Sequence, residues 1–235
     1  MARMFDQLGG IGALVRGKTV AVKLNLTGST YWLGYLPAER AHWTHPHVIG
    51  AAVHLSGRPA LKNTCGANWE PQHLLSAMQN VEFENTNCLG NGKKYSRLWV
   101  LKGGHMFRAY DLNHSCEDCD VFVSIAKLKE HAAAGRSTFG NRQPSKSALP
   151  ENDPQSPPDG GHRVPRVVAD LVTARPVHIA IIDGIESMAG GEGPWVSGAR
   201  HVAPGVLIAG TNPVSTNAVG MAVMGLDPMA DRGSV

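Results

Sequence analysis

Lys127, Lys129 and His131 follow directly on the apolar run Asp120-Val-Phe-Val-Ser-Ile-Ala126, and Asp183 closes a second such run, Val177-His-Ile-Ala-Ile-Ile182. Two lysines and a histidine beside an acid can bind a carboxylate or a phosphate, and a desolvated lysine can have its pKa lowered into the range of a useful base. Lys127, Lys129, His131 and Asp183 are therefore the candidate catalytic groups. Lys23 and Asn25, near the end of the alternating run Thr19-Val-Ala-Val-Lys-Leu-Asn-Leu26, are candidate ligand-binding residues. Glu186, Gly190, Gly191 and Gly193 join them, because glycines let backbone N–H groups approach an anion closely. Asp183 and Glu186 also suit a divalent metal, a hydroxyl or a partner lysine.

Two other chemistries compete with binding and turnover of a small anionic molecule. Ser124 and Lys127 have the Ser-x-x-Lys spacing of certain serine hydrolases, and a metal-bound water near His45 and His131 is another route to hydrolysis. On a strand, however, positions three apart point to opposite faces. The second alternative is a non-catalytic redox or metal-binding protein: Cys116-x-x-Cys119 with His114 nearby has the spacing of half a zinc or iron–sulfur site. Cys65, Cys88 and His105 would have to complete it from a distance.

These groups need strand ends to hold them. The runs ending near Leu26, Ala126 and Ile182 are β-branched and apolar, as expected of strands covered on both faces, and Gly205-Val-Leu-Ile-Ala-Gly210 is a further strand of this kind. In open α/β sheets the carboxyl ends of parallel strands face the ligand crevice. Helices are predicted over 48–55, with Thr44 as N-cap and Pro46 in the first turn, over 164–174 with an early Pro165, and from Pro213 to Gly225. His45 and His47 read as capping and packing residues before ligands. A short helix over 70–78 and a strand over 81–85 are weaker predictions. Residues 95–101 and 106–112 read as a β-hairpin about Gly103-Gly104 inserted into the α/β order. Residues 1–18 are too rich in glycine to predict a helix.

The pattern predicts an α/β, Rossmann-like fold: a mainly parallel sheet flanked by helices, with the inserted hairpin, in one domain over 1–235. The stretch 135–163, with Pro144, Pro150, Pro154, Pro157 and Pro158, reads as a long Pro/Ser/Gly-rich loop or flap. A net charge of +3 with scattered basic residues argues against a nucleic-acid groove. No stretch approaches the roughly 20 apolar residues of a membrane span, and no signal peptide is evident, so a cytoplasmic protein is expected. Four cysteines are too few for a disulfide scaffold at this length.

Five motifs in order carry a resemblance: Val-Lys-Leu-Asn-Leu-Thr-Gly at 22–28, Thr-His-Pro at 44–46, Ala-Lys-Leu-Lys-Glu-His at 126–131, Ile-Ile-Asp-Gly-Ile with its glycine loop at 181–193, and Ala-Gly-Thr-Asn-Pro-Val at 209–214. Together they resemble the bacterial and archaeal family catalogued as domain of unknown function 362. The resemblance covers nearly the whole chain. Some relatives carry an added ferredoxin-like iron–sulfur module, which implies redox work for them; residues 1–235 are expected to hold none. It reads as a shortened member, abbreviated over 57–68 and diverging after Ala134, with Asn212 and Asn217 where relatives tend to have aspartate.

Overall fold

The continuous apolar runs pair side by side as the centre of one sheet. The computed structural model describes residues 1–26, 33–56, 95–130 and 163–229. In chain order the elements are α1 (Ala2–Gln7), α2 (Gly12–Val15), β1 (Val20–Leu24), α3 (Ala38–Ala41), α4 (Pro46–Ser56), β2 (Tyr95–Trp99), β3 (Ala109–Asn113), α5 (Ser115–Asp118), β4 (Val121–Lys127), α6 (Arg163–Ala174), β5 (Ile179–Gly184), β6 (Ser187–Ala189), β7 (Arg200–Val202), β8 (Val206–Gly210) and α7 (Pro213–Val223).

The main sheet has the order β1-β4-β5-β8. β1 and β4 pair in parallel, as do β4 and β5, with Lys23 opposite Ser124 and Lys127 opposite Asp183. Every residue of β1, β4 and β5 is buried, which is why these runs carry no polar alternation. The last strand, β8, pairs antiparallel to β5, so the sheet is mixed though mainly parallel, and β8 is half-buried along its length where a strand covered on both faces was expected. The apolarity of Val-Leu-Ile-Ala-Gly carries no signal of strand direction; the direction is set by the short excursion β6–β7, an antiparallel two-stranded sheet that turns the chain back after β5. The fold is α/β, with a mixed, mostly parallel sheet flanked by helices.

Side-chain alternation divides the sheet into two faces. Val22, Leu24, Val123, Ile125, Ile179 and Ile181 point to a core shared with Phe5 and Val15 from the first two helices and with Val48, Ile49 and Val53 of α4. Ala21, Phe122 and Ala180 point the other way, onto Tyr110, Leu112, Cys116, Cys119 and Leu171. The two N-terminal helices form although glycines surround them, because Phe5, Ile11 and Val15 bury against the first core, a tertiary gain that outweighs weak propensity.

The inserted hairpin is present: β2 and β3 pair antiparallel, Tyr95 opposite Asn113. Its connecting loop is anchored from α6. The buried Asp170 carboxylate accepts hydrogen bonds from the backbone N–H of His105 (2.5 Å), Met106 (2.8 Å) and Phe107 (3.1 Å) and from the Tyr110 hydroxyl (3.0 Å). Burial alone would push this carboxyl up, but the four donors outweigh it and hold the pKa below the ordinary aspartate value. α7 starts as predicted, with Asn212 Oδ1 accepting from the N–H of Val214 and Ser215, both at 3.0 Å, and proline at the first turn. The predicted helix over 70–78, the strand over 81–85 and most of the 135–163 flap lie outside the described residues.

Candidate functional site

The candidate residues that come together do so at the carboxyl ends of β4 and β5. Lys127 and Asp183 are register partners on the face of the first core, and Lys127 Nζ donates to Asp183 Oδ2 at 2.9 Å with neither side chain exposed. The same Oδ2 accepts the backbone N–H of His45 at 2.9 Å, while Oδ1 accepts that of Ile185 at 3.2 Å. One carboxylate thus ties together two strand ends and the start of α4. Burial pulls the Lys127 ammonium below the ordinary lysine pKa, and Asp183 and then Glu186 restore only part of it.

His45, not Thr44, caps α4. Its Nδ1 accepts the N–H of His47 at 3.1 Å, and its carbonyl accepts those of Val48 and Ile49. Nδ1 can accept only when it carries no proton. Desolvation, then the charges of Lys127 and His47, lower the His45 pKa against the raising effects of Asp183 and Glu186, which keeps the ring in that neutral state. Thr44 joins strands instead of capping the helix. Its Oγ1 accepts from Asn25 N–H (3.2 Å) and donates to the Ile125 carbonyl (3.3 Å), stitching the ends of β1 and β4.

Lys129, two residues past the end of β4, is buried, and its ammonium donates to the carbonyls of His42 (2.9 Å) and Glu192 (2.7 Å). It clamps the glycine loop onto the segment before α4. The loop is closed over itself: a Cβ on Gly193 would lie 2.2 Å from the Trp195 ring, and one on Gly190 would meet the Gly198 carbonyl at 2.9 Å. Trp195 in turn meets the edge of His42, with ring centroids 5.6 Å apart. Gly193 permits close packing of the loop against its own indole, Gly191 against Val196 and Gly190 against the Gly198 backbone.

Glu186 makes a two-point ion pair with Arg40, at 2.7 Å and 2.5 Å, and His201 Nε2 lies 3.8 Å from the same carboxylate. Side-chain hydrogen bonding to Arg40 holds Glu186 below the usual glutamate range, against a smaller upward push from burial. Sequence reasoning missed Arg40 and His201. Arg40 is 146 residues from Glu186, and no local spacing links them.

The remaining candidates separate. Lys23 and Ser124 are neighbours across β1 and β4 and, by alternation with Ala21 and Phe122, belong to the sheet face opposite Lys127 and Asp183. Among the described residues Ser124 Oγ is buried without a hydrogen-bond partner, so it forms no dyad with Lys127. The Ser-x-x-Lys spacing fails here for the reason alternation gives. Asn25 lies beside Thr44, just beyond the end of β1. His131 lies outside the described residues, as do Cys65 and Cys88. His114 Nδ1 is 2.7 Å from Asp118 Oδ2, Cys116 and Cys119 are buried, and no group of three or more His, Cys, Asp or Glu among the described residues is arranged to hold a metal ion. No helix among them is long and apolar enough to cross a membrane.

The family described as Domain of unknown function (DUF362) matches residues 20–222, a span that begins with β1 and ends in α7 and includes every site residue above. The chain belongs to this family. A solved structure of the lactate racemase apoprotein from Thermoanaerobacterium thermosaccharolyticum is similar to the DUF362 chain with a TM-score of 0.36 and 10% sequence identity. The likeness covers 83% of this chain and 48% of that one, so the chain spans about half the length of that structure. No curated protein matches the sequence.

Proposed function

We propose that the chain binds a small anionic molecule at the carboxyl ends of β4 and β5 and exchanges a proton with it through Lys127. The observation that carries this reading is the Lys127–Asp183 pair, wholly buried at the ends of adjacent parallel strands. A buried ion pair contributes less to stability than well-packed apolar residues of the same volume, so its presence at a ligand-facing strand end is better explained by function than by folding. Lys127 with a lowered pKa gives up its proton more readily than a surface lysine, and Asp183 keeps its ammonium aimed. His45, held neutral beside the pair, is the second group able to take a proton. Arg40 supplies positive charge at the rim, balanced by Glu186. Lys129 positions the glycine loop.

The test is a panel of inorganic phosphate, acetate and succinate, each with and without magnesium, screened by thermal shift and followed by calorimetry. At least one anion is expected to bind, and Lys127→Met is expected to weaken it by about tenfold or more, the loss of one charge-assisted contact. Binding by none of the panel, or equal affinity in the variant, sinks the proposal.

A further inference from the structure

The Cys-x-x-Cys pair takes no part in the site above and lies on the opposite face of the sheet, in the core formed with the hairpin. We propose that Cys116 and Cys119 are a peroxide-oxidisable dithiol in which Cys119 is the sulfur oxidised first, singled out by Arg175. Arg175 follows α6, and its Nη2 donates to both the Cys119 carbonyl (2.9 Å) and the Cys119 Sγ (3.0 Å), while its guanidinium lies 5.6 Å from the centre of the Phe122 ring. Among the described residues no carboxylate pairs with this guanidinium. Its positive charge is therefore directed at sulfur and at an aromatic face.

The geometry suits closure of a disulfide. Cys116 is in the single turn of α5, and Cys119 is its C-cap, with an extended backbone (φ −92°, ψ 141°). Residues three apart on a helix have Cβ atoms about 5–6 Å apart, and a disulfide needs roughly 3.5–4.5 Å, so a small local unwinding at the end of the turn is enough. Neither cysteine is in a disulfide and both are nearly covered, Cys119 at 7% exposure, which favours an oxidant as small as hydrogen peroxide over a bulky disulfide.

The Cys119 sulfur attacks one peroxide oxygen, the O–O bond breaks, and the hydroxide leaves with the thiol proton as water, with Arg175 beside the departing charge. Cys119 is now a sulfenic acid, oxidised by two electrons as the peroxide is reduced. The Cys116 sulfur then attacks it, the S–O bond breaks and a second water leaves. The balance is two thiols and one peroxide to one disulfide and two waters.

Trypsin cleaves after Arg108 and Lys127, so peptide 109–127 carries both of these cysteines and no others. After treatment of the full chain with equimolar peroxide and blocking of free thiols, this peptide is expected unblocked and about 2 Da lighter than its reduced form, reverting with a dithiol reductant. Cys116→Ser is expected to trap dimedone on Cys119. Arg175→Met is expected to slow oxidation by about tenfold or more, with Arg175→Lys intermediate, since a hydrogen bond from a charged donor is lost or weakened. Circular dichroism of each variant reports its folding. Peptide 109–127 blocked at both cysteines after peroxide overturns the dithiol, and equal rates in wild type, Arg175→Lys and Arg175→Met overturn the role of Arg175.

Discussion

Lys127 and Asp183 face each other across the ends of two parallel strands, 2.9 Å apart and both without solvent exposure. Removing one partner leaves the other charged in a dry place. Lys127→Met is expected to destabilise by about 3–5 kcal/mol, and Asp183→Leu by a similar amount. The double variant is expected to recover most of the loss, because two apolar side chains replace two compensating charges. Urea unfolding of the four proteins gives the coupling; additive losses would mean that the two residues do not act as a pair.

A pH dependence follows from the lowered Lys127 pKa. The folded state releases this proton more easily than the unfolded state, so the unfolded chain holds more protons between the lowered pKa and the ordinary 10.5. Stability contributed by Lys127 should therefore rise as pH rises through that window. Lys127→Met should lack the rise, which a melting series across alkaline pH reads directly.

His45 provides the acid-side counterpart. Its pKa is lowered in the folded protein, so its contribution is complete above 6.5 and declines as pH falls below it. Protonation at Nδ1 also removes the acceptor that caps His47 N–H. His45→Ala is expected to lose about 1 kcal/mol at neutral pH, the usual cost of an N-cap. His45→Asn keeps an acceptor that does not titrate, so it should retain stability and flatten the slope below 6.5. An unchanged slope in the asparagine variant would assign the acid sensitivity elsewhere.

Asp170 is a purely structural test. Asp170→Asn halves the acceptor capacity facing three N–H groups and a hydroxyl, and it is expected to destabilise by about 2 kcal/mol or more. With its carboxyl held below the ordinary 3.8, Asp170 contributes stability above that value and loses it as pH falls through its lowered pKa. The wild type should lose its advantage over the variant in that acid range, as seen in paired denaturation curves.

Gly193 tests the closed loop. Gly193→Ala puts a methyl where the Trp195 ring lies, so the indole must swing away from His42. A red shift of tryptophan emission with little change in melting temperature is expected; unchanged emission would mean that the ring does not rest on this glycine.

The legible parts of the fold were those fixed by local physics. β1, β4 and β5 are buried on both faces and so are continuously apolar, and α6 and α7 announce themselves through early prolines. The direction of β8 was hidden because it depends on β6 and β7, strands of three residues that no periodicity can reveal. α1 and α2 were hidden because tertiary burial, not propensity, makes them. Lys127 and Asp183 stood out as polar residues ending apolar runs, but that they pair with each other follows from register between strands 56 residues apart. Asp170 had only one weak signal, a lone acid among Val167, Val168 and Leu171 on an otherwise apolar helix face.

If Lys127 is the proton-exchanging group of an anion site, its own titration must respond to the anion, and lysine side-chain NMR reads that response. The Lys127 signal, assigned by its loss in Lys127→Met, is titrated in the free protein and again with whichever of phosphate, acetate or succinate binds. The expected midpoint lies below 10.5 in the free protein and moves upward when the anion is present, since negative charge nearby favours the ammonium. A Lys127 signal that titrates with the surface lysines, or whose midpoint is indifferent to saturating anion, would contradict the assignment.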